Sequence, residues 1–277
     1  MDDFFALFIF NDGFAAIESS GSFEIARNVL AGCANRILGF KELFEVLAFD
    51  MMPTVYEIGE HAECILRELG HAEEKARTFL SGSAHRQFAH SLAICECLAS
   101  IEFATRQRPD VRLVSWPEVL AKAPESTRTS VVPFRVPTSS AGGAVQPDGF
   151  FALEYRSEAK KAYRFFALEV DRGTMPVQRT NEKQTSYLAK LAMYLDVITR
   201  QLHKSYLGIP NLFVLTVTMD RTRLDDIMRK FGESAGAQAL FLFKAIGMGT
   251  GALNMPMPQL LLEPWDRTEQ PSLRIDK

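Results

Sequence analysis

The chain has 277 residues, of which 47% are hydrophobic and 23% are charged. This length and balance exclude a disordered chain and allow a sizeable core, so the sequence predicts a folded, soluble protein of one or two domains. The formal net charge of −3 hides an uneven distribution. Residues 1–75 hold 5 Lys/Arg against 14 Asp/Glu, a balance of −9, which leaves +6 for residues 76–277. An acidic N-terminal region therefore precedes a basic body, which suits a partner rich in phosphate but also fits an ordinary solvated surface.

The lack of an export signal and the cysteine spacing both favour a cytoplasmic protein. The apolar run at residues 4–10 is too short for a membrane span and lacks the basic leader of a signal peptide. The cysteines show no zinc-binding spacing, which favours reduced thiols. We therefore expect no membrane partner. The four cysteines are Cys33, Cys64, Cys95 and Cys97.

Residues 1–80 form the first predicted domain, which is small and mainly helical. Helical spacing covers residues 22–30 and 40–47, a strand-like segment covers 53–58, and a helix resumes over 60–69. This order is that of a winged-helix module. The acidic balance instead favours a helical interaction domain or oligomerisation arm, through which the chain could form a homodimer, because a DNA-reading helix normally carries Lys or Arg. The sequence leaves both alternatives open.

Residues 81–277 form the second predicted domain, an α/β sheet with flanking helices. A long helix comes first, three strands follow, and helices and strands then alternate. Helical crossovers between the late strands predict a parallel or mixed sheet. Helices are predicted at 84–105, 182–205 and 221–231; strands at 111–116, 149–155, 164–171, 212–218 and 239–245; a loop with one strand near 131–136 at 121–146; and an irregular tail from 247.

Three carboxylates gather around the predicted hairpin of this domain. Asp148 precedes its first strand, while Glu169 and Asp171 end its second strand. Alternation places Glu169 and Asp171 on one face, and a hairpin could bring Asp148 alongside them. Carboxylate oxygens are the ligands that Mg²⁺ and Mn²⁺ prefer. A site for one of these metals, formed by the three residues, is therefore a hypothesis, and no other cofactor is indicated.

The predicted helix after this hairpin carries a polar stripe next to its apolar face. Lys183, Tyr187, Lys190 and Tyr194 fall within about 60° of one another at the helical period. Such a stripe could lie over the carboxylate strand, where lysine would neutralise phosphate charge and tyrosine would orient a ligand. The alternative is that both tyrosines pack in the core and both lysines extend into water.

Several of these motifs resemble the replication-relaxation family of bacterial and plasmid proteins. They are Pro147-Asp148-Gly149, Glu169-Val170-Asp171-Arg172-Gly173 and Lys190-x-x-x-Tyr194, with likeness extending to Tyr56-Glu57-Ile58, His90 and the segment from Trp116 to Glu118. The resemblance implies a winged-helix region followed by a restriction-endonuclease-like, PD-(D/E)xK domain with a mixed sheet and flanking helices. It also implies a role in plasmid or mobile-element DNA replication, relaxation or transfer, with DNA as the partner.

The resemblance also assigns roles to residues. In nucleases of this fold, Asp148 and Glu169 would match the metal-binding acids, and the residue two after Glu169 would be a lysine. Here that residue is Asp171, which cannot stabilise developing negative charge, so cleavage would need a cation from elsewhere. Lys190 or Lys183 would be the substitute and Arg172 a poorer one. The candidate catalytic residues are Asp148, Glu169, Asp171, Lys190 and Tyr194; the candidate DNA-binding residues are Arg172, Arg179 and Lys183.

Three functions follow from the sequence. The first is a DNA-associated accessory or regulatory protein whose nuclease-like domain does not cut. The second is a Mg²⁺- or Mn²⁺-dependent DNA nuclease. The third is a protein-interaction module that dimerises or binds a basic partner through residues 1–80.

Overall fold

The computed structural model of the protein divides the chain into two compact units, with the larger comprising Cys97–Met248 and Pro256–Lys277. The predicted domain boundary at residue 80 lies outside the described residues. The described residues are 7–8, 44–47, 55–58, 84–140, 142–157, 161–178, 186–235, 238–246 and 257–277.

The smaller unit contains a three-stranded antiparallel sheet. Its strands are β1 (Leu7–Phe8), β2 (Phe44–Leu47) and β3 (Val55–Ile58), in the order β1-β3-β2. Strand β3 confirms the predicted extended segment. The predicted helix at 40–47 is wrong over β2, because that segment pairs along its whole length with β3 and pairing outweighs helical spacing. The helices predicted at 22–30 and 60–69, and with them the winged helix, lie outside the described residues.

The first helix among the described residues, α1 (Ala84–Arg106), confirms the long helix predicted from its apolar stripe. Its C-terminal half belongs to the larger unit and packs closely at Gly149. A Cβ atom on Gly149 would lie 3.3 Å from the side chains of both Leu98 and Leu168. Glycine at this position therefore lets the helix approach the strand.

A seven-stranded mixed sheet forms the centre of the larger unit, in the order β12-β11-β10-β9-β8-β7-β4, and a short pair, β5-β6, lies apart from it. The pairs β8-β9 and β9-β10 are parallel, whereas all other neighbours are antiparallel. The predicted α/β class with a mixed sheet and flanking helices is thereby confirmed. The strands are β4 (Val111–Val114), β5 (Val136–Pro137), β6 (Ala144–Val145), β7 (Gly149–Arg156), β8 (Lys161–Asp171), β9 (Phe213–Thr218), β10 (Phe241–Ala245), β11 (Trp265–Arg267) and β12 (Gln270–Leu273).

Helices cover the sheet face that carries the candidate site. Leu191 and Leu224, from two different crossover helices, share one buried core with Ala167 of β8 and Val214 of β9. Because side chains alternate along a strand, Glu169 points to the same face as Ala167. The helices after α1 are α2 (Trp116–Leu120), α3 (Glu125–Arg128), α4 (Tyr187–Thr199), α5 (Leu202–Leu207), α6 (Arg221–Ala235) and α7 (Gln259–Leu262). Among the helices so described, none has the length and apolarity needed to cross a membrane.

The helix predicted over 182–205 forms two helices, α4 and α5, in the part of it that the structure describes, from residue 186 onward. Helix α4 begins after Ser186, whose Oγ accepts a hydrogen bond from the Ala189 backbone N–H at 3.2 Å. The break falls at Gln201, which has a left-handed backbone with φ of 57°. No glycine or proline marks this break, so the pattern of apolar residues runs through it.

Two segments predicted to be irregular contain regular structure. In the tail, β11 and β12 follow the short helix α7 and extend the sheet, and the fully buried Trp265 donates its indole N–H to the Leu260 carbonyl at 2.9 Å. In the loop at 121–146, a short helix precedes the small β5-β6 pair, and of the strand predicted near 131–136 only Val136 is in a strand, β5. These elements were not predicted because the segments contain prolines at 133, 137, 258 and 264, and proline normally interrupts helices and strands.

Candidate functional site at the ends of β7 and β8

The antiparallel register of β7 and β8 places Asp148 beside the end of β8. Gly149 pairs with Leu168, so the preceding residue lies next to Glu169. The Asp148 backbone N–H donates to the Leu168 carbonyl at 3.0 Å, and its Oδ2 accepts a hydrogen bond from the Val170 N–H at 2.9 Å. Asp148 is thus fixed by backbone contacts as well as by its position in the hairpin.

Glu169 is the buried centre of the cluster, with only 1% of its surface exposed. The Tyr194 hydroxyl donates a hydrogen bond to its Oε1 at 2.5 Å. The Lys190 ammonium pairs with its Oε2 and also lies 3.3 Å from Asp148 Oδ1. Lys190 therefore bridges two carboxylates, and the structure brings together four of the five candidate catalytic residues.

The protonation of this cluster is governed by burial. Burial raises the pKa of Glu169 to about 8, the Asp148 carboxylate contributes to the rise, and Lys190 and Tyr194 partly oppose it. Burial alone would lower the pKa of Lys190, but the neighbouring carboxylates outweigh it and hold that pKa above its usual value. At neutral pH the Lys190 ammonium is therefore charged, and Glu169 is mostly protonated.

The two tyrosines of α4 are both buried hydrogen-bond donors. Tyr194 contacts Glu169, while the Tyr187 hydroxyl donates to Thr216 Oγ1 of the adjacent strand at 3.1 Å. Burial, with the charge of Glu169, raises the pKa of both phenols well above the usual range. Both hydroxyls therefore stay neutral and can donate.

Asp171 lies in a separate ion pair with a residue that the sequence did not indicate. The Arg223 guanidinium donates from Nε to Asp171 Oδ2 and from Nη2 to Oδ1 at 3.0 Å. Arg223 Nη2 also donates to the Met175 carbonyl at 2.5 Å, and the Gly173 N–H donates to Asp171 Oδ1 at 3.1 Å. Asp171 thus anchors the turn after β8 to the first turn of α6.

Only one of the three candidate DNA-binding residues lies in the described part of the chain. Arg172 follows Asp171 and is partly exposed. Arg179 and Lys183 lie outside the described residues. Arg223 and Thr216 were missed because they depend on strand register: β9 runs parallel to β8 and pairs Thr216 with Glu169, and α6 begins just past the end of β9. The basic start of α6 was the available signal for Arg223.

A divalent metal such as Mg²⁺ or Mn²⁺ needs several oxygen ligands around one point. Within the described ranges, no three His, Cys, Asp or Glu side chains form a group that could hold a metal ion. Between Asp148 and Glu169, the contact position is taken by the Lys190 ammonium, and the third predicted ligand, Asp171, faces Arg223. In this arrangement the residues do not fit a Mg²⁺ or Mn²⁺ ion bridging the two acids, and the metal site stays a prediction.

These features define a mixed α/β protein with a buried acid–lysine–tyrosine cluster at the end of a hairpin. The model of a family described as replication-relaxation matches residues 46–210, which is more than half of the chain. The chain therefore belongs to the replication-relaxation family, as its motifs predicted, and the family description points to a role in replication or relaxation. No curated protein and no solved structure matches the chain. Dimerisation through residues 1–80 stays a prediction.

Proposed function

We propose that the protein is a DNA-associated accessory or regulatory protein of plasmid or mobile-element replication, relaxation or transfer, and that its nuclease-like domain binds DNA without cutting it. Membership of the replication-relaxation family supports the biological role. The observation that carries the non-cutting part is the bridge from Lys190 to both Asp148 and Glu169.

This bridge occupies the lysine that would have to supply the positive charge for cleavage. Phosphodiester cleavage in such folds requires acids that hold a metal and a positive charge that stabilises the phosphate in the transition state. Lys190 is bound between the two acids, and Arg223 is engaged with Asp171 and the Met175 carbonyl. With both side chains in these contacts, neither presents its charge to a phosphate.

DNA association is supported by charge. Residues 76–277 carry an excess of six basic side chains. The acid cluster adds little repulsion, because Lys190 neutralises one negative charge and burial keeps a proton on Glu169 over much of the neutral range. A polyanion can therefore approach this unit, and such binding should weaken with salt.

The proposal is tested by binding and cleavage assays on the full chain. Fluorescence anisotropy with duplex, single-stranded and branched DNA at low salt should show binding, and supercoiled plasmid incubated with Mg²⁺ or Mn²⁺ should remain intact. Glu169→Gln should bind DNA as the wild type does. Absence of binding to all three DNA forms would overturn the proposal.

A metal-dependent nuclease is a second candidate, because Asp148, Glu169 and Lys190 do converge at one strand end. This function requires metal-dependent nicking that disappears in Glu169→Gln while the circular dichroism spectrum is unchanged. Nicking by the wild type alone would replace the first proposal with this one. Equal nicking by both proteins would indicate a contaminating nuclease.

A further inference from the structure

A second charged cluster lies at the opposite end of the β7-β8 hairpin, around Glu154. This carboxylate is 2% exposed and accepts hydrogen bonds from Arg156 Nε at 2.6 Å and the Tyr163 hydroxyl at 2.8 Å. Arg112 Nη2 lies 3.2 Å from its Oε2, and Lys161 Nζ lies 3.6 Å from its Oε1. One buried acid thus meets three cations.

The strand register makes this cluster a continuous surface. Glu154 pairs with Tyr163 across β7 and β8, Arg156 pairs with Lys161, and Arg112 pairs with Glu154 from β4. Directly paired residues place their side chains on the same face of a sheet. The cations therefore lie side by side at one corner of the sheet.

Two of these cations, Arg156 and Lys161, can donate further hydrogen bonds, whereas Arg112 is paired with two carboxylates. Arg112 is occupied by Glu118 as well as Glu154, at 2.9 Å and 3.2 Å. Arg156 uses its Nε for Glu154, and no described residue accepts a hydrogen bond from its two terminal nitrogens. The side chains of Arg156 and Lys161 are 45% and 62% exposed. Both can reach an external anion while Glu154 holds them.

Two other exposed arginines of this unit, Arg221 and Arg229, have the opposite balance. Arg221 pairs with Asp225 and Asp266, and Arg229 pairs with Asp226 and Glu233. Each of these arginines is therefore matched by two carboxylates, whereas at the hairpin end three cations share Glu154, with Glu118 on one of them. The local excess of positive charge lies at Arg156 and Lys161.

We propose that Arg156 and Lys161 form a contact site for the phosphate backbone of a nucleic acid, with Glu154 as the positioning residue. The proposal rests on the proposed function and adds to it the surface that binds. Arginine and lysine donors on phosphate oxygens fix a protein on nucleic acid without reading its sequence. Glu154 stays ionised in this role, because the hydrogen bond from Arg156, with those from Tyr163 and Arg112, lowers its pKa to about 2 against the effect of burial.

The test compares two double variants with the same loss of charge. Anisotropy of a labelled duplex is measured over a salt series for the wild type, R156Q/K161Q and R229Q/K230Q. We expect R156Q/K161Q to weaken binding about tenfold and to lower the slope of log affinity against log salt by about two. R229Q/K230Q should stay close to the wild type, and R156K/K161R should retain most of the affinity.

Glu154→Gln separates positioning from simple charge. This variant makes the protein more positive, which alone would strengthen binding, so a weaker affinity would support the positioning role and a stronger one would overturn it. Equal losses of duplex affinity in the two double variants, or no loss in R156Q/K161Q, would overturn the contact site but not the proposed function. A wild type that binds no duplex would overturn both this inference and the proposed function.

Discussion

The Lys190 ammonium lies 3.3 Å from Asp148 Oδ1, which ties helix α4 to the start of β7. The same ammonium contacts Glu169 at the end of β8. One side chain therefore holds a crossover helix against both strands of the hairpin. Its removal should affect stability as well as ion binding.

Replacing Lys190 by methionine keeps the aliphatic stem but leaves two neighbouring carboxylates without their cation. We expect the free energy of unfolding at pH 9, where Glu169 is mostly ionised in the wild type, to fall by about 3 kcal/mol, since without Lys190 the buried carboxylate must either stay unpaired or take up a proton. Excess Mn²⁺ should restore part of this loss, because an ion can then bind between Asp148 and Glu169. Thermal unfolding with Mn²⁺ and with chelator measures both effects.

The matched control for this experiment is K190M/E169Q, which should not respond to Mn²⁺. Calorimetric titration should show Mn²⁺ binding to Lys190→Met and none to the wild type. Equal binding by the wild type would contradict the view that Lys190 takes the place of the metal.

The raised pKa of Glu169 predicts that stability falls as pH rises. Between its ordinary value of 4.5 and its folded value of about 8, the folded state holds a proton that the unfolded state has lost. Stability is therefore greatest below pH 4.5 as far as this group is concerned, and it declines by on the order of 4 kcal/mol up to pH 8. Urea unfolding at a series of pH values, compared with Glu169→Gln, isolates this contribution. The same pH slope in both proteins would count against it.

The two tyrosines of α4 should differ in their effect on stability. Tyr194→Phe removes a donor from a buried carboxylate and should cost about 2 kcal/mol, whereas Tyr187→Phe breaks a hydrogen bond between two hydroxyls and should cost about 1 kcal/mol. Chemical denaturation of the two variants provides the comparison. A larger cost for Tyr187→Phe would indicate that Tyr194 contributes little to holding Glu169.

The pair of Asp171 and Arg223 should behave as a coupled unit. Arg223→Met leaves the buried Asp171 without its cation and should lower the free energy of unfolding by about 3 kcal/mol. D171N/R223M should recover at least about 1 kcal/mol of this loss, because the uncompensated charge is gone. Additive effects of the two single substitutions would show that the ion pair is not a stabilising contact.

Alternation and turn residues predicted much of the sheet. The strands β7, β8, β9 and β10 lie where their apolar patterns placed them, because each alternates or runs apolar between clear breaks. The prediction of a helix was wrong over Phe44–Leu47, since the same residues fit a helix until pairing with β3 is known. The segment Trp265–Arg267 in the tail is recognisable as a strand only from its pairing with β10.

The candidate site was predictable where it depended on one hairpin and one helix face. Asp148, Glu169, Lys190 and Tyr194 needed only an antiparallel turn and the helical period to be brought together. Asp171 was grouped with them because alternation gives its face but not its partner. Arg223 lies 52 residues further along the chain and reaches Asp171 through a parallel register that no local pattern records.

Strands β9 to β12 all come from residues beyond the family match, which ends at residue 210. A truncated protein cut at that position would lose Arg223, Thr216 and the strand that pairs with β8 from Phe166 to Asp171. The open edge would present unpaired backbone groups, which favours self-association. Expression of residues 46–210 alone, the segment that the family model matches, should therefore yield insoluble protein. The reason is that the cooperative folding unit extends to the C-terminal strands.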